Sequence, residues 1–435
     1  MQYNIEGLKA FLKFSSSTFH AVDAICKVLA KAGFVRLQES GRWNIQPGGK
    51  YFVTRNQSSI IAFTVPKQGF APVQIVASHS DSPVFRIKQH AELEVAGKYV
   101  QLNTERYGGM IMSTWLDRPL SIAGRVLVRT KQGLESRLVK IDKDLLVIPN
   151  LAIHMNREVN DKCSFNAQTD MMPLYGDISM KGSFDALIAQ AAGVKEDQVA
   201  GSDLYLYNRM EPSVWGGEGM YISAPRLDDL ECAYTSLCAF TEAKPGDHIN
   251  MYCVFDNEEV GSGTRQGADS TFLEDVLTRT ACALNAGSET MCACLASSFM
   301  VSADNAHALH PNHPAKSDAT NRPCMNEGIV VKFSANQKYT TDGLSNAIFA
   351  DVCSRAKVPV QYFSNRSDML GGSTLGNISS AHVSIPSVDI GLAQLAMHSS
   401  YETAGVKDAE YMVRGLKAFY ETELRAAEDG KVDIR

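Results

Sequence analysis

At 435 residues the chain is longer than one ordinary core, so two domains are expected. Hydrophobic residues make up 45% and charged residues 21%, the balance of a soluble globular protein. The net charge of -6 argues against a nucleic-acid or anionic-membrane surface, and no apolar run nears the ~20 residues of a membrane span.

The ten cysteines include no C-x-x-C pair, and no basic-then-apolar leader follows Met1. They read as buried, reduced thiols of a cytoplasmic protein. The first helix is expected over residues 5–14. A second carries Val22, Ile25, Cys26, Leu29 and Ala30 on one stripe, with Gly33 past its end. His20 at its start reads as a capping histidine. Strands follow at residues 34–37, 51–54, 60–65 and 73–77, the last running into Ser78-His79-Ser80-Asp81-Ser82-Pro83.

From about residue 89 the pattern turns β-rich, with strands expected at 92–103, 123–129, 134–148 and 204–207 and a helix at 183–192. This stretch, 89–219, reads as a domain inserted into a catalytic domain formed by 1–88 and 220–435. It holds no cluster of metal-ligand residues. Taken alone, His154 reads as a structural histidine.

Past residue 220 the α/β character resumes. Asp228 and Asp229 precede an apolar stripe of Leu230, Ala233, Tyr234, Leu237 and Cys238, where an N-cap is the default reading. An apolar strand at 249–255 then runs into Asp256-Asn257-Glu258-Glu259-Val260-Gly261. A helix is expected at 272–284, and the spacing of Cys292 and Cys294 suits one face of a strand. A strand at 299–301 leads to Asp304. His307, His310 and His313 recur at threes, but Pro311 and Pro314 break the helix that would align them, so Asp304 is the favoured ligand. Strands at 329–333, 359–363 and 384–392 and a helix at 343–355 complete the core. The last strand leads to His398, and a final helix carries Met412, Leu416, Phe419, Tyr420 and Leu424. Gly371-Gly372-Ser373-Thr374-Leu375-Gly376 has no following lysine and is not a P-loop.

His79 and Asp81, two apart on an extended chain, share a face. His79, Asp228, Glu259, Asp304 and His398 all end core strands or open core helices. Two imidazoles and three carboxylates suit Zn²⁺, with Mn²⁺ or Co²⁺ as substitutes. If one carboxylate bridges, five side chains give two metals three protein ligands each and leave positions for water and substrate. Glu258 is the free carboxylate that can shuttle a proton. A regular strand would point Glu258 and Glu259 to opposite faces, so the backbone must leave β geometry there.

The motifs around these residues resemble the aspartyl aminopeptidase family of co-catalytic zinc exopeptidases, which includes the yeast vacuolar aminopeptidase I type. The similarity covers Ser78–Pro83, Pro225-Arg226-Leu227-Asp228, Asp256–Ser262, Ser302-Ala303-Asp304-Asn305-Ala306-His307-Ala308, His310-Pro311-Asn312 and Gln394–Ser399. It implies an α/β fold: a mixed-sheet exopeptidase domain sandwiched by helices, with the β-rich insertion used for dimerisation. It also implies two Zn²⁺ per subunit. Asp228 would bridge, with His79 and Asp304 completing one site and Glu259 and His398 the other. Asp81 would orient the assembly, and Glu258 would be the general base. The peptide after the bridging Asp is cis in related enzymes, and Asp229 stands where the family usually has Asn.

The resemblance implies further that dimers build a tetrahedral dodecamer in which His154 reaches a neighbouring active site. Lys332 and Tyr339 match positions near the substrate pocket, where Lys332 is the expected partner of an acidic side chain. Asp368 would line the same pocket. The expected activity is removal of N-terminal residues from peptides, acidic ones first. Alternatives are a neutral, Leu-type preference, a deacylase of N-acyl amino acids, or a shell-forming structural protein that its metals merely hold together.

Overall fold

The computed structural model describes residues 2–435. Its centre is a mixed sheet of nine strands, in the order Val35–Arg36, Lys50–Arg55, Ser59–Thr64, Ile249–Phe255, Val73–His79, Phe299–Ala303, Ser387–Gly391, Ile329–Phe333 and Val360–Ser364. The four middle strands, Ile249–Phe255 through Ser387–Gly391, run parallel, and antiparallel partners flank them on both sides. A parallel strand covered on both faces must be apolar at every position, which explains the unbroken runs in the sequence. Val76 accordingly packs into one core and Ile75 into the core on the opposite face.

The helices Ile5–Phe14, Thr18–Lys31, Leu227–Glu242, Gly343–Arg355 and Val406–Glu421 contribute to the first core, and Phe272–Ala283 to the second. The first helix shows why: Asn4 Oδ1 accepts from Gly7 N at 2.7 Å, and Leu8, Phe11 and Leu12 recur at helical spacing on the buried side.

A second, antiparallel sheet takes Gly133–Lys140, Leu120–Thr130, Val199–Asn208, Val84–Val95, Tyr99–Tyr107 and Leu174–Asp177 in that order. It has its own apolar core, closed by the helix Phe184–Ala192. A five-stranded sheet of Ser213–Trp215, Tyr221–Ala224, Glu402–Gly405, Ala393–Leu395 and Ala306–His307 lies between the elements that carry Asp228, Asp304 and His398. Among the described residues no helix is long and apolar enough to cross a membrane.

Five expectations need correction, the first being the strand at 134–148, which ends at Lys140. The single strand at 92–103 is a hairpin, because Ala96 and Gly97 take positive φ and turn the chain between Val84–Val95 and Tyr99–Tyr107. Cys292 and Cys294 lie on the helix Ser288–Ala296, whose short apolar sequence mimics alternation. Cys163, Cys282 and Cys292 are exposed rather than buried. Leu424 belongs to a terminal hairpin, since the last helix ends at Glu421.

His20 is buried in the first turn of its helix, 2.8 Å from the Ser17 hydroxyl. Burial, reinforced by Lys140, lowers its pKa to about 4. Because the folded value lies below the unfolded ~6.5, the unfolded chain binds the extra proton between these limits, and stability falls as pH drops through them. From pH 7 to pH 5 this one group should cost about 2 kcal/mol. The expected result is that His20→Gln loses that much less stability than wild type over the same interval, read from urea midpoints.

Candidate metal centre and active site

The carboxyl ends of three adjacent parallel strands meet at one edge of the nine-stranded sheet, where open α/β sheets place their ligands. His79 ends Val73–His79, Asp304 directly follows Phe299–Ala303, and Glu258 and Glu259 come shortly after Ile249–Phe255. Asn257, at φ +63°, turns the last strand into a short 3-10 segment, Glu258–Val260. That turn is the departure from β geometry that the doublet requires. Asp228 opens the helix Leu227–Glu242 with non-helical dihedrals, and the Asp228–Asp229 peptide is cis. His398 sits in the loop after Ala393–Leu395.

The structure brings His79, Asp228, Asp229 and Asp304 into one group of candidate ligand atoms, Asp228, Glu259 and His398 into another, and His79, Glu258 and Glu259 into a third. Asp228 faces both histidines: Oδ1 lies 3.5 Å from His79 Nε2 and Oδ2 lies 3.4 Å from His398 Nε2. Glu259 Oε2 is 3.3 Å from the same His398 nitrogen. Such spacings are long for hydrogen bonds, but two ligands of one tetrahedral zinc sit ~3.3 Å apart when each is ~2.05 Å from the ion. Asp228 Oδ1, Asp229 Oδ1 and Glu259 Oε1 are also buried without a hydrogen-bond partner. Buried acceptors lacking donors are costly, and a cation among these side chains would offset that cost. The residues therefore fit a metal.

The histidines are oriented from behind. His79 Nδ1 lies 3.0 Å from the Asp81 carbonyl oxygen, and His398 Nδ1 lies 2.9 Å from that of Gly109. A carbonyl can only accept, so each Nδ1 carries a proton and each Nε2 is the atom turned to the carboxylates, where it would bind a metal on giving up its own proton. The Asp81 carboxylate accepts the backbone N–H groups of Glu258 at 3.1 Å and Glu259 at 3.2 Å. Burial pushes Glu258 up to about 8, with His79 opposing and Asp304 and Asp81 adding to the rise. A bound cation would reverse that local field.

Other candidates fall elsewhere. The rings of His310 and His313 lie 5.0 Å apart, tilted by 40°, and none of the three spaced histidines joins the ligand groups. His154 is exposed and joins none of the ligand groups of its own chain. Asp368 is exposed and paired with Arg366. Lys332 is among the buried charged residues. Only 2% exposed, it donates from Nζ to the Asp304 carbonyl at 2.8 Å and lies 3.8 Å from Asp304 Oδ2, with the Tyr339 ring 5.2 Å away. Its ammonium lies against a candidate ligand. A cleft of about 330 Å³ is lined by His307, His310, Lys316, Asp318, Arg366 and Gln394 among others.

Glu402 is a contributor that sequence reasoning missed. Its carboxylate accepts from Asp228 N at 3.0 Å and from His398 N at 2.7 Å, so one buried acid fixes two candidate ligands. It falls four residues after His398 at the start of the short strand Glu402–Gly405, where no local pattern marks it as a contributor.

Imidazole and carboxylate donors grouped around a free glutamate define a metal-dependent hydrolase. The family model of aminopeptidase I zinc metalloprotease (M18) matches residues 11–420, and the chain belongs to that family of zinc aminopeptidases. It is 45% identical over 421 residues to a probable M18 family aminopeptidase 2 of Clostridium novyi, covering 94% of this chain and 96% of that one. A protein of the same description from Pseudomonas aeruginosa is 39% identical over 425 residues, covering 95% and 97%. Among solved structures, the chain resembles one in the complex of Ape4 and Nbr1 (TM-score 0.92, 34% identity, 97% of this chain and 88% of that one). It also resembles the S. cerevisiae mApe1 dodecamer (TM-score 0.84, 27% identity, 95% of each).

Proposed function

We propose that this zinc aminopeptidase uses two metal ions and removes acidic residues first from peptide N-termini. The observation that carries the reading is Asp228, which turns one carboxylate oxygen to each of two histidines. His79 and Asp304 would hold one zinc, Glu259 and His398 the other, and Asp228 both; Mn²⁺ or Co²⁺ would satisfy the same donors. When bound, such a pair polarises the scissile carbonyl and lowers the pKa of water. Glu258 takes the proton of the attacking water and returns it to the leaving amine. Asp81 holds Glu258 and Glu259 in register through their backbone N–H groups. Support for an acidic preference comes from Lys316 and Arg366, two cations in the lining of the adjoining cleft; Asp318 also lines it and Arg366 is paired with Asp368.

The test is metal content together with turnover of Asp-, Glu- and Leu-p-nitroanilide and of an amine-blocked Asp substrate. About two metals per chain with Asp and Glu ahead of Leu is the expected outcome. Preference for Leu removes the acidic reading, cleavage of the blocked substrate indicates a deacylase, and metal without any cleavage indicates a structural shell.

The same reading divides the chain into a catalytic domain, about 1–88 and 220–435, and an inserted assembly domain, about 89–219, whose sheet already begins at Val84. A separate core and the dodecameric neighbour support dimers that build a dodecamer. Leu151, Ile153 and Met155 stand exposed around His154, as a segment seated in a partner would. His154 then stabilises the oxyanion in a neighbouring site. His154→Ala should lower turnover about 100-fold with zinc retained, and metal loss would count against the role. Ten unpaired cysteines support a cytoplasmic location.

A further inference from the structure

One three-residue turn of the six-stranded sheet touches the ligand cluster at three points. At the end of Tyr99–Tyr107, the Tyr107 hydroxyl donates to Asp81 Oδ2 at 2.6 Å. A Cβ on Gly108, whose φ is +74°, would come within 3.2 Å of Glu259 Cβ, so the backbone lies directly against that side chain. The Gly109 carbonyl accepts from His398 Nδ1. Tyr107 is further fixed by Asn257 Nδ2, which donates to its hydroxyl at 2.9 Å, and Asn257 Oδ1 is itself held by Thr264 and Gln266.

Asp81 therefore has three donors, two from the Glu258–Glu259 turn and one from the other sheet. A carboxylate held only by the turn could rotate with it. The phenol fixes the carboxylate plane, and through it the turn that aims Glu258. Burial, with Asp81 and Asp256 nearby, raises the phenol far above its ordinary value, so it stays a donor at any working pH.

We infer that Tyr107 is a positioning residue for the hydrolysis, acting through Asp81 on Glu258 and tying the geometry of the site to the six-stranded sheet. The inference rests on Glu258 being the proton carrier. It gives the β-rich sheet a part within its own subunit's site that is independent of any assembly.

The test is a double-mutant cycle on the zinc-loaded enzyme with Tyr107→Phe, Asp81→Asn and both together. Tyr107→Phe removes one oxygen and leaves the ring packed against Tyr205. Its kcat should fall about 10-fold or more, with KM within twofold, zinc content unchanged and the melting midpoint lowered by only a few degrees, as loss of one buried hydrogen bond requires. In the Asp81→Asn background the same change should cost nothing further. Independent, multiplying effects would overturn the inference, as would a Tyr107→Phe enzyme that loses zinc or melts markedly earlier. If Glu258→Gln keeps its turnover, the underlying reading fails instead, whatever the cycle shows.

Discussion

Glu258→Gln should lower kcat by roughly 10²–10⁴-fold and leave the metal content of the folded enzyme unchanged, the range general acid–base catalysis supplies. The amide replaces one oxygen with NH₂, so the side chain keeps its size and can no longer take a proton. The backbone N–H that Asp81 accepts is untouched, and the turn should survive. The neighbouring Glu259 behaves differently because it lies 3.3 Å from His398 Nε2 and joins Asp228 in a ligand group. Glu259→Gln should therefore lose metal as well as turnover. A Glu258→Gln enzyme that still cleaves at the wild-type rate would remove the proton-shuttle role. One that loses metal would make Glu258 a ligand.

What the sequence displays is governed by distance along the chain. The strands that end in His79, Glu258 and Asp304 are legible because burial on both faces leaves them uniformly apolar, and a charge at their ends stands out. The Glu258–Glu259 doublet even states its own problem, which Asn257 solves with a left-handed backbone. The hairpin at Ala96 and Gly97 was signalled by its glycine, but flanking β-formers masked the turn. The contacts of Glu402 with Asp228, and of Tyr107 with Asp81 and Asn257, join residues 26 to 174 positions apart, and no local pattern encodes them. The motif resemblance supplied ligand roles that spacing alone left open, yet it could not say which way Lys332 points.

Lys332→Met decides that point, and the expected result is loss of stability without a change of preference. The wild-type ammonium is buried and donates to the Asp304 carbonyl, with the Asp304 carboxylate and the Tyr339 ring close by. Burial opposes the charge, but Asp304, Tyr339 and Asp389 prevail and hold the lysine pKa above its ordinary value. Methionine fills much of the same volume and removes the cation. Breaking a buried pair from one side costs about 3–5 kcal/mol, because the partner is left without its counter-charge. Here that partner is Asp304, so metal retention should weaken along with the melting midpoint. Turnover of Asp-, Glu- and Leu-p-nitroanilide should then fall by the same factor, since every substrate needs the same ligand. If acidic cleavage alone disappears while Leu cleavage and the melting midpoint persist, Lys332 reads the substrate after all. In that case the ammonium must leave Asp304 when peptide binds, and the basic lining of the adjoining cleft would no longer account for an acidic preference.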